Sequence, residues 1–165
     1  VRADIRFLTD PASYEQFTCF APISLQDTSS PILERDATNR LVYGWKSNAA
    51  PLNHRLQKDM VDSRKMSAEE CLWQLQDIGT GNGISVDPAS VFWNDYRKRW
   101  VMIAYEFVGG VWFFEGDTPT GPWVYGRKIV SHDNYDFYNV GQHALPGSRG
   151  SNVCLVFLCK VYPDM

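Results

Sequence analysis

Between Gly83 and His132 the chain carries four short runs rich in aromatic and β-branched residues. They are separated by Asp95-Tyr96-Arg97-Lys98, by Val108-Gly109-Gly110 and by Asp117-Thr118-Pro119-Thr120-Gly121-Pro122. Runs of this composition, punctuated by residues that favour turns, read as an antiparallel β-meander. In the second run Trp100, Met102 and Ala104 fall on one face of an extended strand, and Val101, Ile103 and Tyr105 on the other. Both faces are largely apolar, so the strand has to lie in a sheet covered on both sides. A propeller blade stacked between neighbours meets that requirement, and so does the middle of a β-sandwich; periodicity does not separate the two.

The rest of the chain is read around this unit. Asp10-Pro11 can open a helical turn, with Asp10 as its N-cap. Ile32 to Lys46 reads as a hairpin turning at Asp36 to Arg40. The segment 52–70 breaks the β pattern: Leu52, Leu56, Met60 and Val61 recur at helical spacing, and Ser67 with Glu70 forms a capping-box signature. Cys71 to Ile78 then alternates again like a strand. Gly79-Thr-Gly-Asn-Gly83 is a flexible turn, because it has neither the lysine ending of a phosphate loop nor dinucleotide-binding spacing.

Composition narrows the function classes. With 165 residues, 44% of them hydrophobic, the chain can build a sizeable core, and a net charge of −3 gives no field to steer a polyanion. Nucleic acid is therefore not an expected partner. Arg97-Lys98-Arg99 reads as a solvated turn between two strands. The four cysteines, Cys19, Cys71, Cys154 and Cys159, match no metal-binding pair and no small disulfide scaffold, and read as buried thiols. No run reaches bilayer-spanning length, so no membrane association is expected. No cofactor or metal is expected either. VRADIRFLTD at the N-terminus lacks a signal-peptide pattern, which leaves an extracellular or periplasmic location open where a leader precedes Val1.

The hairpins also repeat, weakly. Arg40-Leu-Val-Tyr aligns with Arg99-Trp-Val-Met and with Ser151-Asn-Val-Cys, each leading into an apolar strand. This suggests blades at about 27–86, with the helical insertion inside it, at 87–136, and a partial one at 137–165. A propeller needs about four blades to close. The expected fold is thus all-β, made of consecutive four-stranded antiparallel meanders, and the expected architecture is an incomplete propeller that self-associates through exposed β edges.

Three stretches, LERDATNRLVYGW, SVFWNDYRKRWVMIAYE and VWFFEGDTPTGPWVYGRKIVSHDNYDFYNVGQH, resemble a bacterial protein family of unknown function. That family is similar in turn to the five-bladed-propeller glycoside hydrolases of the arabinanase-like and fructosidase-like kind. The resemblance spans about residues 8 to 145. It implies a sugar at one end of a central channel, with carboxylates near the inner strands of successive blades. One of these would protonate the leaving oxygen and another would activate water or attack carbon.

On the registers above, inner strands begin near Asp27, Asp87 and Asn139. Asp87 is the expected catalytic or pKa-tuning carboxylate, although Asp87-Pro88 also reads as a strand-entry turn. Asp27, Tyr138, Asn139, Gln142 and His143 are the expected sugar contacts, because amide and aromatic groups suit a carbohydrate ring. Glycoside hydrolysis is the expected activity. The alternative is a carbohydrate-binding or structural propeller, which needs the aromatics and amides but no pair of carboxylates.

Overall fold

The computed structural model describes residues 4–22, 31–106, 109–132, 135–144 and 153–161. The chain divides into two compact units, Val1–Cys71 and Leu72–Met165. Among the described residues there is one α-helix, and the sheets are antiparallel with two or four strands.

In the first unit, β1 (Glu15–Thr18) pairs with β2 (Gly44–Ser47). The chain between them folds back in single bridges, Phe20 to Leu33 and Arg35 to Leu41. The hairpin expected over 32–46 turns at Asp36, whose carboxylate accepts the backbone N–H groups of Thr38 and Arg40. It is more broken than the sequence suggests, because the first strand's outer half takes the pairing that a regular hairpin would use: Ala21 N–H bonds to Ile32 O, and Glu34 N–H to Cys19 O. Thr18, Cys19 and Phe20 are fully buried. The Phe17 ring stacks on Tyr43 and meets Trp45 edge-on. At the N-terminal side, Asp10 caps the short turn Pro11–Ser13 by accepting Ala12 N–H.

The helix expected inside 52–70 is α1 (His54–Asp62), with Asn53 as N-cap accepting Leu56 N–H at 2.8 Å. It buries Met60 and Gln57 on one side, next to the buried Leu52. The capping box at Ser67 is also present, with the Glu70 carboxylate accepting Ser67 N–H. Glu70 further binds Arg35 through both carboxylate oxygens.

That ion pair carries a pH dependence. The Arg35 guanidinium, helped by Ser67 N–H, holds the Glu70 carboxyl below the usual carboxylate range. A carboxyl lowered in the folded state contributes stability above its unfolded pKa and loses it as the pH falls through the folded value. The Asp36 carboxyl, lowered by Thr38 and Arg40, acts in the same direction. Thermal midpoints of the first unit are therefore expected to fall as the pH drops below about 4, the unfolded carboxylate range. Glu70→Gln should flatten part of that slope in melts across a pH series.

The second unit contains the meander. β3 (Asp87–Asn94), β4 (Arg99–Glu106), β5 (Gly110–Gly116) and β6 (Trp123–Ser131) form a four-stranded antiparallel sheet in chain order. The turn 95–98 is closed by Asn94, whose side chain accepts Arg97 N–H, with Lys98 in the left-handed region at φ 52°. The 117–122 turn depends on Gly121 at φ 90°, a value that suits glycine. Asp117, which opens that turn, pairs with Arg99 on the neighbouring strand.

The two faces of β4 end in two cores, as the alternation requires. Met102 and Ala104, with Trp112 and Phe114 of β5 and Trp123 of β6, pack under Leu75, Ile84 and Val86. Val101 and Ile103, with Val111, are covered by Phe137 and Val140. Those two come from β7 (Tyr135–Ala144), which pairs with β8 (Val153–Val161). Cys71 to Ile78 is not the strand its alternation suggests. It is an irregular segment with two single bridges, Gln76 to Gly83 and, at the β6 edge of the sheet, Asp77 to Gly126, with Leu75 turned into the core. Ring closure of a propeller is not a feature of the described residues.

Candidate functional site

Asp87 is the first residue of β3 and stands opposite Tyr105 of β4. Its side chain is exposed, and no described residue bonds to or pairs with it. Side chains alternate along a strand, so Glu106, next to Tyr105, projects to the opposite face from Asp87. There Glu106 binds Lys128 Nζ at 2.8 Å, and that ammonium also lies over the Trp112 ring. The carboxylate nearest in register to Asp87 is therefore turned away and already paired.

Two further carboxylates, Glu34 and Glu115, are engaged similarly. Glu34 binds Lys46 Nζ at 2.7 Å, and Lys46 is held further by the carbonyls of Phe20 and Val42. Glu115, buried at the end of β5, pairs with Arg97. These pairs hold strands and turns in register.

Gln142 is buried on β7. Its side-chain amide donates to Val101 O at 2.9 Å and, more weakly, to Ser90 O at 3.5 Å, while its backbone N–H donates to Ser90 Oγ at 3.1 Å. The amide therefore joins the β7–β8 pair to β3 and β4. A register shift between Tyr138 and Gly141 lets Phe137, Val140 and Gln142 all reach the sheet. Tyr138, Asn139 and His143 belong to the backbone of β7, with Tyr138 opposite Leu158 and His143 opposite Cys154; their side chains, and Asp27 altogether, lie outside the described residues. The structure thus brings Gln142 to Ser90, three residues along β3 from Asp87, and joins no second described carboxylate to that strand entry.

What sequence reasoning did not single out is the surface at the turn end of the sheet. Trp93 is 45% exposed, yet it is held in place: its indole N–H donates to Asp95 at 3.0 Å, and its ring meets Trp100 edge-on at 5.8 Å and 70°. Tyr96, in the turn, is among the most exposed aromatics. A pairing of Trp and Asp two residues apart at a strand end was the available signal.

Among the described residues no group of three His, Cys, Asp or Glu side chains could hold a metal ion, and no helix is long and apolar enough to cross a membrane. Burial pushes the Cys19 and Cys71 thiols up in pKa, away from the nucleophilic thiolate. No family model, curated protein or solved structure matches the chain.

Proposed function

We propose that the chain is a carbohydrate-recognising β module. In this reading the β3–β6 sheet is one blade of a five-bladed-propeller architecture, and β7 and β8 are the first strands of the next. The packing of β7 across the Val101–Ile103 face supports the stacking of one blade on another. Outer strand edges are the surfaces through which such modules self-associate.

The observation that carries the proposal is Trp93: a large, half-exposed ring, fixed by Asp95 and Trp100. An aromatic ring that is ordered before binding offers its apolar face to the C–H face of a sugar at little entropic cost. Hydrolysis comes second, because Asp87 has no companion carboxylate among the described residues, and both mechanisms of glycoside cleavage need two.

Trp93→Ala is expected to weaken binding to arabinan or levan about tenfold, the effect of losing one stacked ring and its packing, with Trp93→Phe recovering most of it. Affinity electrophoresis in gels containing each polymer measures this. Equal retention of the wild-type chain and Trp93→Ala in every polymer would remove Trp93 from the reading. Release of reducing sugar by the wild-type chain that Asp87→Asn abolishes would restore hydrolysis to first place.

A further inference from the structure

The first unit has a groove of about 640 Å³, within the size range of small-molecule sites. Its walls are the end of α1, the turn that follows it and the Arg35–Asn39 turn. The backbone at that helix end is fully specified: Arg64 N–H bonds to Val61 O and Lys65 N–H to Met60 O, the two bonds of a Schellman cap. In such a cap the residue after the C-cap sits in the left-handed region and is usually glycine. Here it is Arg64, at φ 58°. A side chain kept at a position that favours its absence projects into the groove at the cost of backbone strain.

The charges lining the groove are unbalanced. Arg35 is neutralised by Glu70, whose two oxygens it grips, and Arg35 also donates to the carbonyls of Asn39 and Lys65. Arg64 and Lys65 are exposed, and among the described residues neither has a carboxylate partner. Two cations without counterions thus stand beside a fixed ion pair, on a chain whose net charge is −3. Half-buried Val61 adds apolar surface, and Ser67 and Asn39 add hydrogen-bonding groups. A bare inorganic anion would leave that apolar and hydroxyl-matching surface unused.

We propose that this groove binds an acidic sugar, with Arg64 and Lys65 on the carboxylate and Val61 against the ring. The site lies wholly within the first unit and does not depend on the Trp93 surface. The cations serve the helix C-terminus as well, since positive charge there offsets the macrodipole. That role requires no ligand, and the experiment separates the two.

The full chain, labelled with ¹⁵N, is titrated with galacturonate, its methyl ester, galactose and inorganic phosphate. Galacturonate is expected to shift the amide signals of residues 64–67 saturably. The methyl ester and galactose should bind about tenfold more weakly, the loss of one charge-assisted contact. Arg64→Gly should weaken galacturonate about tenfold while the melting temperature stays level or rises, because glycine suits the cap. Trp93→Ala should leave the galacturonate shifts unchanged, so the two sites succeed or fail separately. The proposal is overturned if galacturonate gives no saturable shift, if galactose or the ester binds equally well, if phosphate binds as tightly as galacturonate, or if Arg64→Gly binds galacturonate like the wild-type chain.

Discussion

Phe114→Ala is expected to destabilise the second unit by about 3–5 kcal/mol, the range for emptying a large aromatic site in a packed core. Phe114 is fully buried, stacks on Trp112 at 6.4 Å and lies in the core formed with Met102, Leu75 and Ile84. Its neighbours are anchored on strands β4 and β5 and on the chain that carries Leu75 and Ile84, so little can collapse into the space. The cost therefore belongs at the upper end. Urea unfolding followed by tryptophan fluorescence measures it, and an unchanged midpoint would mean that Leu75 and Ile84 do not seal this face.

Gly126→Ala should approach that effect from the opposite cause, overfilling. A Cβ placed on Gly126 would lie 2.2 Å from the carbonyl oxygen of Gln76 and 2.7 Å from the Phe114 ring. The ring could shift, but the carbonyl belongs to a backbone fixed on either side of it. Asp77 bridges to Gly126 in parallel, and Ile78 N–H bonds to Gly126 O at 2.8 Å. Admitting one methyl group means breaking that seam, at an expected cost of about 2–3 kcal/mol. Gly44→Ala, where nothing lies within 4 Å of the added atom, is the control and should be tolerated far better in the same urea series. Equal losses in the two variants would show that the penalty comes from glycine's backbone freedom rather than from the seam.

These two sites also show how far the chain could be read in advance. The meander was legible because each strand carries its own evidence: alternation along Trp100 to Tyr105, and turn residues at 95–98 and 117–122. The four runs read between Gly83 and His132 hold the whole sheet, from the start of β3 at Asp87 to the end of β6 at Ser131. The helix at 54–62 was legible for the same local reason. What could not be read was anything set by partners distant in sequence. Cys71 to Ile78 has the alternation of a strand, but the Gly126 backbone leaves it only single bridges. The face of β7 that reaches the core was hidden because the register shift after Tyr138 breaks the spacing of two.

The candidate site divides along the same line. Asp87 was placed correctly at a strand entry, since Asp-Pro is a local signal. Whether a second carboxylate would meet it depended on which way Glu106 points, and that follows from register across strands. Gln142 was chosen for its chemistry, and its chemistry is used, though on Ser90 and Val101. Trp93 and Asp95 escaped notice because an exposed tryptophan and a buried one look alike in a sequence.

The cover that β7 lays over Val101, Ile103 and Val111 bears on how the molecule is made. A ribosome delivers the chain from its N-terminus, so the meander, complete at Ser131, emerges before the strands that cap its second face. At about 5–20 residues per second, the thirty or so residues that follow take a few seconds to arrive. Throughout that interval three of the most deeply buried aliphatic side chains of the finished unit are in water. A nascent chain released from the tunnel only as far as Ser131 would present that sticky face to whatever is nearby, and chaperone capture and early misassembly would compete there with the arrival of Phe137.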